Sequence, residues 1–257
     1  MKLADKAMLI TGAGRGIGFG CALACLRHGA RVAIVDRDPQ QAIENLSEAG
    51  YLVNDDTLLL TADVRDPEQV KTAVLSTADQ FGRLDGVINN AGWHPPAMSI
   101  DETSIEAFEA LVRLNLTSTF ACCKYAVPFL RQTRGAIVNM ASEVALIGQP
   151  AASSYVTTKA GQIGLTRALA LDLASDGVRV NAVCPAGVLT PLMLEWAGTQ
   201  SDPADALRLA DEWHPLGRMA TPLEIGEVCA FLLSSEASFV TGQAICPDGG
   251  AGLGYRR

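Results

Sequence analysis

Apolar residues in this chain come in short bursts, each closed by glycine, asparagine or an acid and followed by a longer amphipathic stretch. Ala7–Ile10 runs straight into a glycine-rich turn and reads as a buried strand, with a helix from Phe19 to Arg27 behind the turn. Arg31–Asp36 is a second strand, Thr57–Ala62 a third and Gly86–Asn89 a fourth. Between the last two, Asp66 followed by Pro67 and Glu68 opens a helix that runs to about Phe81. Ser104–Leu130 is a long helical segment with Pro128 near its end. Gly135–Met140 is a fifth strand, Pro150–Ala174 a helix and Val178–Val183 a sixth strand. Thr221–Ser234 is a helix and Ala244–Pro247 a last strand. Pro185–His214 shows little regularity and is expected to be a lid over a site, because long irregular connections are seldom passive.

Strands alternating with helices predict an α/β fold: a single Rossmann-type, doubly wound domain over residues 1–257, its seven-stranded parallel sheet covered by helices on both faces. No shift in composition marks a second domain, and no repeat appears beyond the alternation itself.

The 257 residues are 49% apolar and 19% charged, with a net charge of −8 and no basic run, which argues against nucleic acid or an acidic membrane as partner. No apolar run approaches the ~18 residues of a membrane span. Met1–Lys6 carries Lys2, Asp5 and Lys6 where a leader would be apolar, so a cytoplasmic protein is expected. The seven cysteines are scattered through apolar stretches and read as buried thiols. His28, His94 and His214 form no metal spacing, so no metal is expected.

The candidate chemistry begins at Tyr155 and Lys159, four positions apart and so on one face of a helix. A lysine charge beside a phenol favours the phenolate and lowers its pKa. Ser142, from the preceding loop, can hold a substrate oxygen beside that phenol, which makes an acid–base pair for an alcohol or carbonyl. Taken alone, the spacing equally describes a surface pair.

Thr11-Gly12-Ala13-Gly14-Arg15-Gly16-Ile17-Gly18 stands between a strand and a helix, where glycines allow close backbone approach and the helix start offers free N–H groups to a phosphate. Asp36 closes the next strand, placed to accept from adenosine ribose hydroxyls and to repel a 2′-phosphate. That favours NAD over NADP, with Arg15 and Arg37 as guanidinium groups able to meet such a phosphate. Asn89 and Asn90, ending an apolar strand, either tie strand ends together or line the cofactor cleft.

These residues, together with Asp63-Val64, Asn89-Asn90-Ala91-Gly92, Asn115 and Val180-Asn181-Ala182-Val183-Cys184-Pro185 with Thr190, resemble the classical short-chain dehydrogenase/reductase family over the whole chain. The resemblance implies a catalytic tetrad of Asn115, Ser142, Tyr155 and Lys159. Asn115 would fix a water that relays the proton through Lys159. It implies nucleotide contacts from Gly12, Arg15, Gly16, Ile17, Gly18, Asp36, Arg37, Asp63, Val64, Asn90, Ala91, Gly92, Tyr155, Lys159, Pro185, Val188 and Thr190. It also implies a homotetramer paired through the helices at Ser104–Leu130 and Pro150–Ala174. In one departure, Ala186 stands where the family usually has glycine, with Gly187 next.

Trp93-His94-Pro95-Pro96, Ile147-Gly148-Gln149 and the glycine-rich tail through Tyr255 resemble the group containing 17β-hydroxysteroid dehydrogenase type 14 and the L-fucose dehydrogenases. His94, Ser142, Glu143, Gln149, Tyr155, Trp196 and Tyr255 are the candidates to meet a small-molecule substrate. Each of the less committed ones has a plainer role: His94 bracing the Pro95-Pro96 turn, Glu143 solvated, Trp196 packing within the lid, Tyr255 at a subunit interface. NAD-dependent oxidation of a sugar or sugar-acid alcohol is the reading adopted. A 3-oxoacyl-thioester reductase, a hydroxysteroid dehydrogenase and a non-catalytic NAD-binding regulator are the alternatives.

Overall fold

The structure is a computed structural model that describes residues 1–51 and 53–253. Strands β1 (Ala7–Thr11), β2 (Arg31–Asp36), β3 (Thr57–Thr61), β4 (Gly86–Asn89), β5 (Ala136–Met140), β6 (Arg179–Val183) and β7 (Ala244–Ile245) pair in parallel, in the order β3-β2-β1-β4-β5-β6-β7. The helices are α1 (Gly16–Arg27), α2 (Gln40–Glu48), α3 (Pro67–Phe81), α4 (Ile105–Val112), α5 (Ser118–Thr133), α6 (Val144–Ile147), α7 (Ser153–Asp172), α8 (Pro191–Gly198), α9 (Pro203–Glu212) and α10 (Pro222–Leu233). The doubly wound sheet expected from the alternation is therefore present, within a residue or two at most strand ends.

Side chains on a strand alternate between faces, and here both faces are dry. Met8 and Ile10 enter one core with Cys21, Cys25, Ile225 and Cys229, beneath α1 and α10. Ala7 and Leu9 enter the other with Val74, Phe81, Cys122 and Leu130, beneath α3 and α5. Six of the seven cysteines are buried in this way and only Cys246 is exposed; none is bridged.

The connection expected to be irregular, Pro185–His214, instead holds α8 and α9. Thr190 caps α8 by accepting from the Met193 N–H at 3.2 Å, and Asp202 caps α9 by accepting from Ala204 and Asp205, both at 3.1 Å. Each cap is followed by proline at the first helical position, which pre-sets φ where no N–H is needed. The long segment before β5 is also not one regular helix. Between α4 and α5 it widens into a π-turn, Arg113–Thr117, with the fully buried Asn115 inside.

α1 and α10 cross at a glycine contact. A Cβ on Gly226 would lie 2.3 Å from the carbonyl oxygen of Gly20, which is backbone and cannot swing aside. Gly226→Val is therefore expected to lower unfolding free energy by about 1–3 kcal/mol. Urea denaturation checks this, and an unmoved midpoint contradicts the close crossing.

Candidate active site

Because β1 is flanked by β2 on one side and β4 on the other, strand order reverses between β1 and β4, and the crevice at their carboxyl ends is where a doubly wound sheet takes its ligand. β1 delivers Gly12, which has φ +63° and no room for a side chain: its Cβ would meet Ala91 Cα at 2.8 Å. A Cβ on Gly18 would fall 2.1 Å from the Gly12 carbonyl oxygen, so the turn is closed too tightly for any other residue. Asn90 pins it by donating from Nδ2 to the carbonyls of Thr11 (3.0 Å) and Gly12 (2.9 Å). α1 begins at Gly16 with no side-chain cap on its first amides, including those of Ile17 and Gly18, so the positive helix end is left for an anion. This cradle fits the pyrophosphate of a dinucleotide.

Asp36 ends β2 beside that turn, and its Oδ2 accepts from the Gly14 N–H at 2.9 Å. Arg15 leans away onto Glu195 of α8 at 2.9 Å, an exposed pair. Arg37 is exposed and faces Asp63, whose carboxyl is held below its ordinary value first by its hydrogen bonds from Arg65. Val64 is buried after β3. Beyond β6, the Pro185 carbonyl accepts from the Glu143 N–H at 3.0 Å, and Val188 is buried where it bridges to Ala220. Thr190 lies against Gly16, so the start of α8 sits on the phosphate turn.

α7 carries Tyr155 and Lys159 to the ends of β4, β5 and β6. Lys159 is only 4% exposed, so its ammonium depends on internal acceptors: the Met140 carbonyl at 2.6 Å and Gln162 Oε1 at 3.3 Å. Its Nζ lies 5.7 Å from the centre of the Tyr155 ring. Ser142 stands just beyond β5, its hydroxyl near enough to the Tyr155 phenol to lower the phenol's pKa. Asn115 accepts from the Trp93 N–H and donates to the Trp93 carbonyl, both at 2.9 Å, and donates to Thr158 Oγ1 at 3.2 Å. Gly92 lies between these groups; a Cβ there would sit 3.1 Å from Asn115 Oδ1 and 3.6 Å from Lys159 Nζ. The four residues singled out from sequence thus come from the π-turn, the β5 end and α7 to one place.

The electrostatics correct one expectation. The Lys159 charge was expected to lower the Tyr155 pKa, yet in the chain by itself burial pushes that phenol up to about 12, with the Ser142 hydrogen bond pulling it back only in part. Burial also draws Lys159 down to about 8. Both shifts share a cause: the pocket penalises whichever form is charged, and at 5.7 Å from the ring the ammonium does not outweigh that penalty.

On the substrate side, the His94 ring stacks against Tyr155 with centroids 4.1 Å apart. His94 Nδ1 lies 2.7 Å from the Pro95 carbonyl, and Nε2 lies 3.1 Å from the Gln149 carboxamide. A carbonyl only accepts, so Nδ1 carries a proton. His94 therefore braces its proline turn and faces the phenol at once. Glu143, read as solvated in its plainer role, is instead buried, with Gly252 close by. Trp196 packs on Trp213 with ring centres 6.0 Å apart, tying α8 to the end of α9. Tyr255 lies outside the described residues. Among those residues, no group of three metal-ligating side chains is assembled, and no helix is long and apolar enough to cross a membrane.

A family model described as enoyl-(acyl carrier protein) reductase matches residues 12–252. Over its full length the chain is also similar to an L-fucose dehydrogenase of Bos taurus, 43% identical over 258 residues, covering 100% of this chain and 93% of that protein.

The chain belongs to the short-chain dehydrogenase/reductase family.

It is similar as well to a cyclohexanol dehydrogenase of Acinetobacter sp. (strain SE19), 39% identical over 249 residues, covering 96% and 95% of the two chains. Among solved structures, the ligand-free aldohexose dehydrogenase of Thermoplasma acidophilum superposes with a TM-score of 0.89 at 33% identity, covering 99% of this chain and 97% of that one. As a short-chain dehydrogenase/reductase the protein is an oxidoreductase that works with a nicotinamide cofactor.

Two parts of this short-chain dehydrogenase/reductase site were not singled out from sequence. Gln162 lies one turn beyond Lys159, and its i, i+3 spacing was the available signal. His214 is the other. Its Nε2 accepts from the Gly187 N–H at 3.0 Å, and a Cβ on Gly187 would lie 2.7 Å from the imidazole. The loop after Pro185 therefore needs its glycine at Gly187, one place beyond the family's usual position at Ala186. Asn90→Ala removes both clamps on the phosphate turn. Weakening of nicotinamide dinucleotide binding by about tenfold, ~1.4 kcal/mol, is expected by calorimetric titration. An unchanged Kd contradicts the pinning role.

Proposed function

We propose that this protein oxidises a secondary alcohol of a sugar or sugar acid with NAD⁺, Tyr155 acting as base, Ser142 holding the substrate oxygen, and Lys159 and Asn115 completing the site. The observation that carries this reading is a lysine ammonium buried beneath a phenol, with the Ser142 hydroxyl beside that phenol. When bound, the nicotinamide ring supplies the hydride acceptor and, in its oxidised form, a positive charge that favours the phenolate. Tyr155 takes the hydroxyl proton in the oxidising direction and returns it to the carbonyl oxygen in reverse. Gly12, Gly16, Ile17 and Gly18 would hold the pyrophosphate; Asp36, Asp63, Val64, Asn90, Ala91, Gly92, Pro185, Val188 and Thr190 would line the rest of the cleft. Asp36 supports NAD over NADP, and the engagement of Arg15 by Glu195 removes one rival phosphate ligand. That cofactor preference weighs against a 3-oxoacyl-thioester reductase.

The sugar class rests on the polar pair His94 and Gln149 beside Tyr155, and on the full-length similarity to an L-fucose dehydrogenase. The pair is exposed in the chain by itself; a bound substrate would cover it, and donors and acceptors covered in that way select hydroxylated ligands, because an analogue that leaves them unpaired is rejected. A second reading, a cyclic apolar alcohol or a steroid, draws on exposed Leu146 and Ile147 close after Ser142, and on the similarity to a cyclohexanol dehydrogenase. Residues 185–214, with Trp196 packed on Trp213, would form the lid over either substrate. A homotetramer and a cytoplasmic location belong to the same proposal. Exposed Ile105, Phe120 and Leu171 on α4, α5 and α7 support burial of those helices between subunits.

An NAD⁺-reduction panel of L-fucose, L-rhamnose, L-galactose, 3-deoxy sugar acids and estradiol separates the readings. Turnover of a sugar is expected, and no response to any of them overturns the sugar class. Tyr155→Phe should cut kcat at least about a thousandfold while NAD⁺ still binds; unchanged turnover overturns the base assignment. Because burial holds Tyr155 high, alcohol oxidation should rise as pH increases from neutral, and carbonyl reduction should fall. A flat pair of profiles contradicts that assignment. Sedimentation should give a tetramer, and a monomer contradicts the subunit pairing.

A further inference from the structure

Gln162 is wholly buried on α7 beneath Lys159, and every polar atom of its carboxamide is engaged. Its Nε2 donates to the backbone carbonyl of Asn115 at 2.8 Å and to Thr119 Oγ1 at 2.9 Å; its Oε1 faces Lys159 Nζ at 3.3 Å. The amide cannot be turned round. The Asn115 carbonyl only accepts, so the NH₂ end must face it, and only the oxygen remains for the ammonium. Thr119 Oγ1 in turn donates to the same Asn115 carbonyl at 3.1 Å, closing the ring of bonds. A carbonyl oxygen has two lone pairs, and two side chains already use them. The Asn115 carbonyl, Thr119 and Gln162 thus hold one another in a fixed arrangement behind Lys159.

We propose that Gln162 is a positioning residue that grips Lys159 against the Asn115 π-turn and keeps its ammonium charged beneath Tyr155. This rests on the reading of Tyr155 as the acid–base group. The titratable groups facing Lys159 are Tyr155 on its own helix and Cys184 just beyond β6, the latter in contact with Cys246 beyond β7. Gln162 does not titrate, so its influence on any pH profile passes through Lys159. An ammonium deprived of its oxygen acceptor favours the phenolate less, and the acid limb of alcohol oxidation then moves to higher pH.

The test compares kcat against pH for wild type, Gln162→Leu and Gln162→Glu, using NAD⁺ and the best alcohol of the panel, with NAD⁺ affinity and thermal unfolding as controls. Gln162→Leu keeps the bulk and removes both ends of the amide. It is expected to bind NAD⁺ near normally, to lose about tenfold in kcat at neutral pH, and to shift the acid limb upward by about half a unit or more. Gln162→Glu keeps an acceptor for Lys159 but sets a negative charge against it, and should shift the limb in the same direction. Wild-type kcat with an unmoved limb in Gln162→Leu overturns the proposal, and so does lost activity with an unmoved limb, the mark of a merely structural role. If Gln162→Leu does not fold, an unmoved limb in Gln162→Glu overturns it. Unchanged turnover in Tyr155→Phe refutes the underlying reading of Tyr155 instead, an outcome distinguishable from all of these.

Discussion

An ammonium sealed from water is unfavourable unless oxygen atoms replace its hydration, and much of this site can be read as the means of supplying them to Lys159. β5 offers its last carbonyl, at Met140, and α7 offers Gln162 from one turn further on. Those two acceptors fix the height of the lysine, and with it the place of the buried cation set beneath the Tyr155 ring. Burial that holds Lys159 down to about 8 also holds Tyr155 up to about 12. The pocket is thus tuned toward the uncharged pair, and a positively charged nicotinamide is the natural partner to tip it the other way.

The scaffold serves that arrangement at several removes. Asn139 on β5 accepts from Asn89 on β4 at 2.9 Å and donates to Thr166 on α7 at 2.9 Å, so a buried polar chain locks α7 to both strands. Thr166 passes its own hydroxyl to the Gln162 carbonyl at 2.8 Å, which anchors the turn that carries the lysine's acceptor. Asn115, in a π-turn that breaks helical regularity, fastens the Trp93 backbone and so sets the wall on which His94 stands. Asn90 does the same for the phosphate turn. Apart from Asn89 Oδ1, which has no hydrogen-bond partner among the described residues, these buried groups are paired, and networks of this kind give a unique arrangement rather than extra stability.

The strands and the order of their chemistry were legible because buried parallel strands are short apolar runs and because glycine and asparagine punctuate their ends. Tyr155 and Lys159 could be placed on one helix face from their spacing, whereas Ser142, from a loop, joined them as a catalytic set through the family resemblance. What escaped was of two kinds. α8 carries little apolar periodicity and α9, though amphipathic, is short; the signal common to both lay in Thr190-Pro191 and Asp202-Pro203, a cap followed by proline. Gln162 escaped because a polar residue on a buried helix face looks unfavourable until its partners are known, and His214, in the turn after α9, because its partner Gly187 is distant in sequence. The direction of the Tyr155 shift escaped for a related reason: spacing reveals a neighbouring charge but not how much water has been removed.

The most direct test is an NMR titration of ring-labelled tyrosine, with Tyr155→Phe to assign the signal, in the free protein and with saturating NAD⁺. The account predicts a phenol that stays neutral through the neutral range in the free protein and ionises at distinctly lower pH once NAD⁺ is bound. A tyrosinate already present at neutral pH without cofactor, or an ionisation that NAD⁺ leaves unmoved, would contradict it.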